Sequence, residues 1–153
     1  MIHVECSTQV ARPREEVFDY LTNVDKLPSW QSGVTEATRI TQGPIGVGTQ
    51  FRQNARVGPW KLDILCTVTD VKANERYAFS ARSTGPLDCD VAFDLQPVAG
   101  GTRLTVNGGA QIKGLWRLLS PMLAMGLRKE TRQEIETLRL IVEAGRPAVA
   151  SSL

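Results

Sequence analysis

From Ile2 the chain alternates: Ile2, Val4, Cys6 and Val10 fall on one side and His3, Glu5, Ser7 and Gln9 on the other, the period of a strand with one buried face. The stretch RPREEVFDYL follows, with Pro13 where a first helical residue can do without its N–H and with Glu15 and Glu16 in the positively polarised first turn, which predicts a short helix over Pro13–Leu21. NVDKLPSW predicts a second, very short helix ending near Trp30, with Asp25 as its cap and Pro28 opening the turn. Strand signals then recur at Val34–Ile40, Thr49–Val57, Trp60–Val71, Arg76–Arg82, Cys89–Pro97 and Thr102–Gln111. Gly58-Pro59, Ala73-Asn74, Gly85-Pro86 and Gly100-Gly101 separate them, and connections this short require antiparallel hairpins. The chain ends in a long helix. Ser120 can cap it, Pro121 opens it, and Leu123, Leu127, Thr131, Ile135, Leu138 and Val142 recur every three or four residues up to Gly145-Arg146-Pro147.

Composition narrows the class. The chain has 153 residues, 42% of them hydrophobic, enough for one domain with a continuous core; we expect that domain over 1–145 and a flexible tail over 146–153. Lys+Arg 18 against Asp+Glu 16 leaves +2, scattered along the chain, so the footprint of a nucleic-acid binder is missing. No apolar run reaches the roughly 18 residues of a membrane span, and MIHVECSTQV carries His and Glu where a signal peptide would be apolar. A cytoplasmic protein without stable membrane insertion is expected. Cys6, Cys66 and Cys89 are widely spaced and accompanied by a single histidine, His3, which argues against a disulfide framework, a metal site and a nucleophilic triad alike. All three cysteines fall at inward parity, where a thiol packs as a small apolar group. Asp88, Asp90 and Asp94 fall on the opposite face and are read as solvated.

The loop GPIGVGTQF raises the question of a phosphate cradle. It leads into an alternating strand, with no helix start and no nearby lysine, so its glycines are assigned to a chain reversal stiffened by Pro44.

Read in order, these phrases resemble a known family. VARPREEVFDYLTNVDKLPSW, GPIGVGTQF and GGTRLTV are similar to the opening, a hairpin and a strand start of the START-like (SRPBCC) superfamily, in particular its bacterial polyketide cyclase/dehydrase and lipid-transport group. The resemblance spans Ile2 to about Ala144; the acidic stretch GPLDCDVAFDLQP departs from it. It implies an α+β helix-grip fold: a curved antiparallel sheet of about seven strands wrapped around the long C-terminal helix, with two short helices after strand one. It also implies a cavity between sheet and helix for a small hydrophobic or aromatic ligand, lipid- or polyketide-like, held without a cofactor.

Parity nominates the residues that face such a cavity. On the strands they are Phe51 and Gln53, then Trp60, Leu62 and Ile64, then Tyr77 and Phe79, then Val91 and Phe93, then Leu104 and Val106. Trp30 joins them from the short helix, and Leu123, Leu127 and Thr131 from the long one. Any such sheet needs an inward apolar face, so parity alone does not separate cavity lining from packed core. In GLWRLLSPMLAMGL, Leu118, Met122 and Met125 lie off the main stripe and can cover a cavity mouth, meet a homodimer partner, touch a lipid surface or pack under neighbouring loops. Arg128, Lys129, Arg132, Gln133 and Glu136 read as a solvated face. Three functions stand at this point: a binding protein; a polyketide cyclase/aromatase or dehydratase in the same cavity, for which only Gln53, Tyr77 and Trp30 offer polar groups and no catalytic residue is assigned; and a lipid-presenting or partner-binding module that works through the Met-rich helix end.

Overall fold

The computed structural model describes residues 2–31, 33–57, 60–85 and 87–144; the side chains of Val57, Trp60 and Ser120 lie outside that description. The Gly58-Pro59 turn, Pro86 and the expected flexible tail fall outside the described residues.

Seven strands, β1 (Ile2–Val10), β2 (Val34–Arg39), β3 (Gln50–Val57), β4 (Trp60–Lys72), β5 (Arg76–Ser83), β6 (Leu87–Val98) and β7 (Gly101–Ile112), form one antiparallel sheet in the order β1-β7-β6-β5-β4-β3-β2. Between β1 and β2 run α1 (Arg14–Thr22), a 3-10 turn (Val24–Lys26) and α2 (Leu27–Trp30); a 3-10 helix (Gly114–Leu119) leads from β7 into α3 (Ser120–Ala144). This is the expected helix-grip α+β architecture, with strand and α-helix limits within two residues of those read from the pattern.

Local chemistry accounts for the ends. The Pro13 carbonyl accepts from the amides of Glu16 (3.1 Å) and Val17 (3.2 Å), opening α1 where proline lacks an N–H to waste. Asn23, not Asp25, caps the following turn, its side-chain oxygen accepting from the Asp25 amide at 3.1 Å. In the glycine loop, Gly43 (φ +97°) and Gly48 (φ +93°) occupy the left-handed region that side chains avoid. The Gly48 amide donates to the Val68 carbonyl (2.8 Å) and the Gly46 amide to Thr49 Oγ1 (3.0 Å), so these donors serve the reversal.

The sheet's inner face and the helices share one main core, with Val10, Phe51, Val68, Leu104 and Leu138 among its fully enclosed members. A register shift between Val68 and Asp70 brings Val71 onto this core, although strict alternation assigns it to the outer face. A second, smaller cluster gathers Ile2, Val4, Ala110, Ile112 and Ala124, with Leu123 and Leu127 half-buried against it.

The polar side of α3 is not merely solvated. β1 is an edge strand, and an uncovered edge leaves unpaired backbone groups. Arg128 donates to the His3 carbonyl (3.3 Å), Thr8 donates to Glu136 (2.9 Å), and Glu143 accepts from the Ala11 amide (2.8 Å). Arg132 lies against the Cys6 thiol, also on β1. Arg139, bonded to both Glu136 and Glu143, ties the row together, and with Thr8 it holds the Glu136 carboxyl below the usual range. Arg128 and Arg132 are exposed as expected and Glu136 is half-buried, but all three also reach the strand edge, which helix-period polar residues do not reveal because they read alike whether they meet only water or a strand as well. The outer-face acids are paired as well: Asp94 takes both oxygens to Arg76, Asp90 meets Arg82, and Asp88 meets Lys113.

Candidate functional site

A cavity of about 100 Å³ lies where the two apolar clusters meet, between the centre of the sheet and α3. Its position follows from side-chain size. One row across the sheet runs Phe79, Val91, Gly108 and Val4, with Cys89 and Ala110 in the next, so the floor under Leu127 and Thr131 is built from small residues. Phe79, Phe93 and Trp30 form its aromatic wall, with Trp30 edge-on to Phe93 at 6.2 Å.

Several polar groups also line this space. Trp30 is 4% exposed and its indole Nε1–H is buried without a hydrogen-bond partner among the described residues. Such a donor costs about 1–3 kcal/mol when left unmade. Gln31 stands beside it, its Oε1 accepting from Gln53 Nε2 at 2.7 Å, and Thr131 and Glu134 reach the cavity from one turn of α3. Cys89 contributes a thiol that burial, aided by Asp88 and Asp90, pushes up to about 11, so it stays protonated.

A second void adjoins the first. An apolar groove of about 620 Å³ runs between the 3-10 helix Gly114–Leu119, the first turns of α3 and the strand ends at Leu62, Leu87 and Ile112. Leu127 lines both spaces. Trp116, Leu119, Met122 and Leu123 wall the groove, and Lys129, Glu130 and Gln133 stand at its polar edge.

Of the residues nominated by parity, Trp30, Phe79, Val91, Phe93, Val106, Leu127 and Thr131 line the inner cavity, and Leu62 and Leu123 line the groove. Phe51, Gln53, Tyr77 and Leu104 are instead core, at 0–4% exposure, and line neither space. Burial pushes the Tyr77 phenol up, so it is held neutral, and Gln53 bears on the cavity only by holding Gln31. Ile64 is half-buried against the main core. The Trp60 side chain lies outside the described residues. The three cysteines are free, but only Cys66 is fully buried, its thiol pushed up to about 12 by burial; Cys6 and Cys89 are half-buried. Among the described residues no cluster of three or more His, Cys, Asp or Glu could hold a metal, and no helix is long and apolar enough to cross a membrane.

Gln31, Glu134 and the small residues Val4, Gly108 and Ala110 also line the cavity but were not among the nominated site residues, although alternation places Val4 and Gly108 at inward positions. The signal for Gly108 and Ala110 was present in the sequence, since NGGA puts glycine at an inward position of β7 where a bulky side chain would complete the core. The groove residues Leu87, Ile112, Trp116 and Leu119 were missed because the groove depends on the 3-10 helix, whose six residues show no clear period.

Among solved structures, the fold is similar to protein TTHA0849 from Thermus thermophilus, with a TM-score of 0.79 and 16% identity over 93% of this chain and 97% of that one. It is also similar to a conserved protein from Geobacillus kaustophilus, with a TM-score of 0.78 and 19% identity over 94% and 96%. DynU16, a protein of the dynemicin biosynthetic locus, aligns with a TM-score of 0.66 and 21% identity over 96% of this chain and 49% of its own. No curated protein sequence matches the chain. The sequence model described as "Polyketide cyclase / dehydrase and lipid transport" matches residues 1–143, nearly all of the described sheet and helices, and the chain belongs to that family.

Proposed function

We propose that this protein binds a small hydrophobic or aromatic molecule, lipid- or polyketide-like, with its apolar body in the groove and one end in the inner cavity. The observation that carries the reading is the meeting of the two voids at Leu127: a groove of about 620 Å³ walled by apolar side chains opens beside a smaller space lined by Trp30, whose indole N–H is unsatisfied among the described residues. A groove of this size falls in the roughly 300–1,000 Å³ range of small-molecule sites. The Trp30 N–H calls for an acceptor, so a carbonyl or hydroxyl oxygen on the ligand's inner end completes it. The family supports a ligand of this class. We place this activity in the cytoplasm, and it requires neither metal nor cofactor.

The uncharged fluorophore N-phenyl-1-naphthylamine tests the reading. It should bind saturably with a fluorescence gain, and Leu127→Trp, at the junction of the two spaces, should abolish the gain while the protein stays folded. A flat titration of the parent protein would end the proposal.

A second reading, a polyketide cyclase/aromatase or dehydratase, is favoured by one observation: Gln31, Thr131, Glu134 and Trp30 line a single small cavity. Cyclisation of a flexible chain gains most from being held in a reactive shape, with modest acid–base help. A fold neighbour drawn from a biosynthetic locus is consistent with it. Incubation with a poly-β-ketone thioester mimic separates the two, because an enzyme returns a ring or loses water and a carrier returns the mimic intact.

A further inference from the structure

The first half of α3 and the 3-10 helix before it expose a run of large apolar side chains that no described part of the fold covers. Leu115 and Leu118 are 85% and 82% exposed, and Met122 and Met125 are 70% and 72% exposed. Trp116 and Leu119 are partly exposed and also wall the groove. No described loop buries this end, which was one of the outcomes left open by the sequence. Contiguous exposed apolar surface rimmed by polar groups marks a contact site.

Charge identifies the partner. Lys113, Arg117, Arg128 and Lys129 bracket the apolar run, and no Asp or Glu occurs between Asp94 and Glu130. The net charge of the whole chain is only +2, so the rest of it is net negative. Two acids stand at the margin: Asp88 pairs with Lys113, and Glu130 follows Lys129 at the groove edge. Arg128 donates to the neutral His3 carbonyl. A two-fold contact with a second copy would set this cationic rim against itself, which disfavours self-association. Leu, Met and Trp side chains set among flanking Lys and Arg fit instead the boundary of a bilayer with anionic headgroups. α3 has 25 residues but lacks the apolarity of a span, so the contact proposed is one along the bilayer surface.

We propose that Lys113–Lys129 is a docking surface for an anionic lipid bilayer, seating the mouth of the groove against the acyl region. If the groove holds an apolar ligand, as proposed above, the ligand then enters or leaves without crossing water. The docking itself does not depend on that reading.

Co-sedimentation with vesicles tests it. The protein should bind vesicles of phosphatidylcholine mixed with phosphatidylglycerol, bind those of phosphatidylcholine alone far less, and release as salt rises, since exposed charges are screened. Leu115→Asp combined with Leu118→Asp alters only highly exposed side chains; the melting temperature should hold and vesicle binding should be lost. Lys129→Gln should weaken partitioning roughly five-fold, the equivalent of about 1 kcal/mol per cation near an anionic surface. Absence of binding to anionic vesicles, or binding that survives the double leucine change, overturns the proposal. So does a concentration-dependent dimer in sedimentation velocity that the double change dissolves, because the face would then belong to a second copy. The naphthylamine titration, done without vesicles, reads the ligand site separately.

Discussion

Gly108 offers the most direct test of whether the space under α3 is a void or a packed core. It lies at inward parity on β7, opposite Val91 and Val4, and lines the inner cavity. The backbone does not require glycine there: a Cβ would stand 3.8 Å from the Asp90 carbonyl oxygen and 4.0 Å from that of Val4, ordinary contact distances. An empty space of about 100 Å³ corresponds to about 2.4 kcal/mol of forgone stability at about 24 cal/mol per Å³. Gly108→Val inserts methyl-sized groups at about 0.8 kcal/mol each and removes the extra unfolded-state freedom of glycine, about 0.5–1 kcal/mol. Taking the void as the ceiling and allowing for imperfect fit, we expect a gain of about 2 kcal/mol. For a chain of this size that raises Tm by roughly 4–8 °C. Thermal melts followed by circular dichroism read the stability, and the naphthylamine titration on the same samples reads the site. The expected result is a higher Tm together with weakened or lost probe binding. A packed core would resist the added volume at roughly 1–3 kcal/mol, so a lowered Tm with probe binding unchanged would refute both the void and its assignment as a ligand site.

Three further outcomes are expected. Cys89 lines the cavity and Cys66 does not, so saturating naphthylamine should slow alkylation of Cys89 by N-ethylmaleimide, while Cys66 should stay unreactive until unfolding; mass mapping of the labelled sites checks both. The Cys66 thiol is raised from 9.0 to about 12 in the folded state, so the folded chain keeps a proton that the unfolded chain releases, and stability should fall as pH rises from about 9 towards 12, by up to a few kcal/mol at about 1.4 kcal/mol per pH unit; urea unfolding across that range should show a shallower fall for Cys66→Ala. Gly101 has φ +154° and a Cβ there would collide with the Val10 carbonyl oxygen, whereas Gly100 (φ +84°) faces open space; Gly101→Ala should therefore lower stability by more than about 1 kcal/mol and by more than Gly100→Ala, as read by Tm.

Strand order was legible because a one-sided sheet writes its burial into a period of two, and short polar turns leave antiparallel neighbours as the available pairing. What escaped was whatever depends on a partner brought up from elsewhere in the chain. The shift at Val68/Asp70 reverses the parity of Val71, and nothing in DILCTVTDVK marks it. Phe51 and Phe79 are both aromatic and both inward, yet Phe51 is sealed in the core and Phe79 faces the cavity. Both stand in rows that contain small residues, Phe51 with Cys66 and Ala81 and Phe79 with Val91 and Gly108, so the difference lies in where each row meets the helices and not in the row's own composition.

The same dependence explains why α3 is read correctly as one helix and incompletely as a functional element. Its second half is fixed twice, by Ile135, Leu138 and Val142 in the core and by Glu136, Arg139 and Glu143 along the edge of β1. Its first half has only Leu123, Ala124 and Leu127 against the smaller cluster, over the two voids, with Met122 and Met125 outside. Local opening draws on the region with the fewest buried contacts. Any widening of the groove to admit a ligand thus falls on the turns before Arg128, leaving the edge-strand row intact. Hydrogen exchange should show faster amide exchange over 122–128 than over 135–142, and the naphthylamine should slow it in the first segment alone. Uniform protection along α3, unchanged by the probe, would mean that the helix closes the site as a rigid lid and that ligands enter elsewhere.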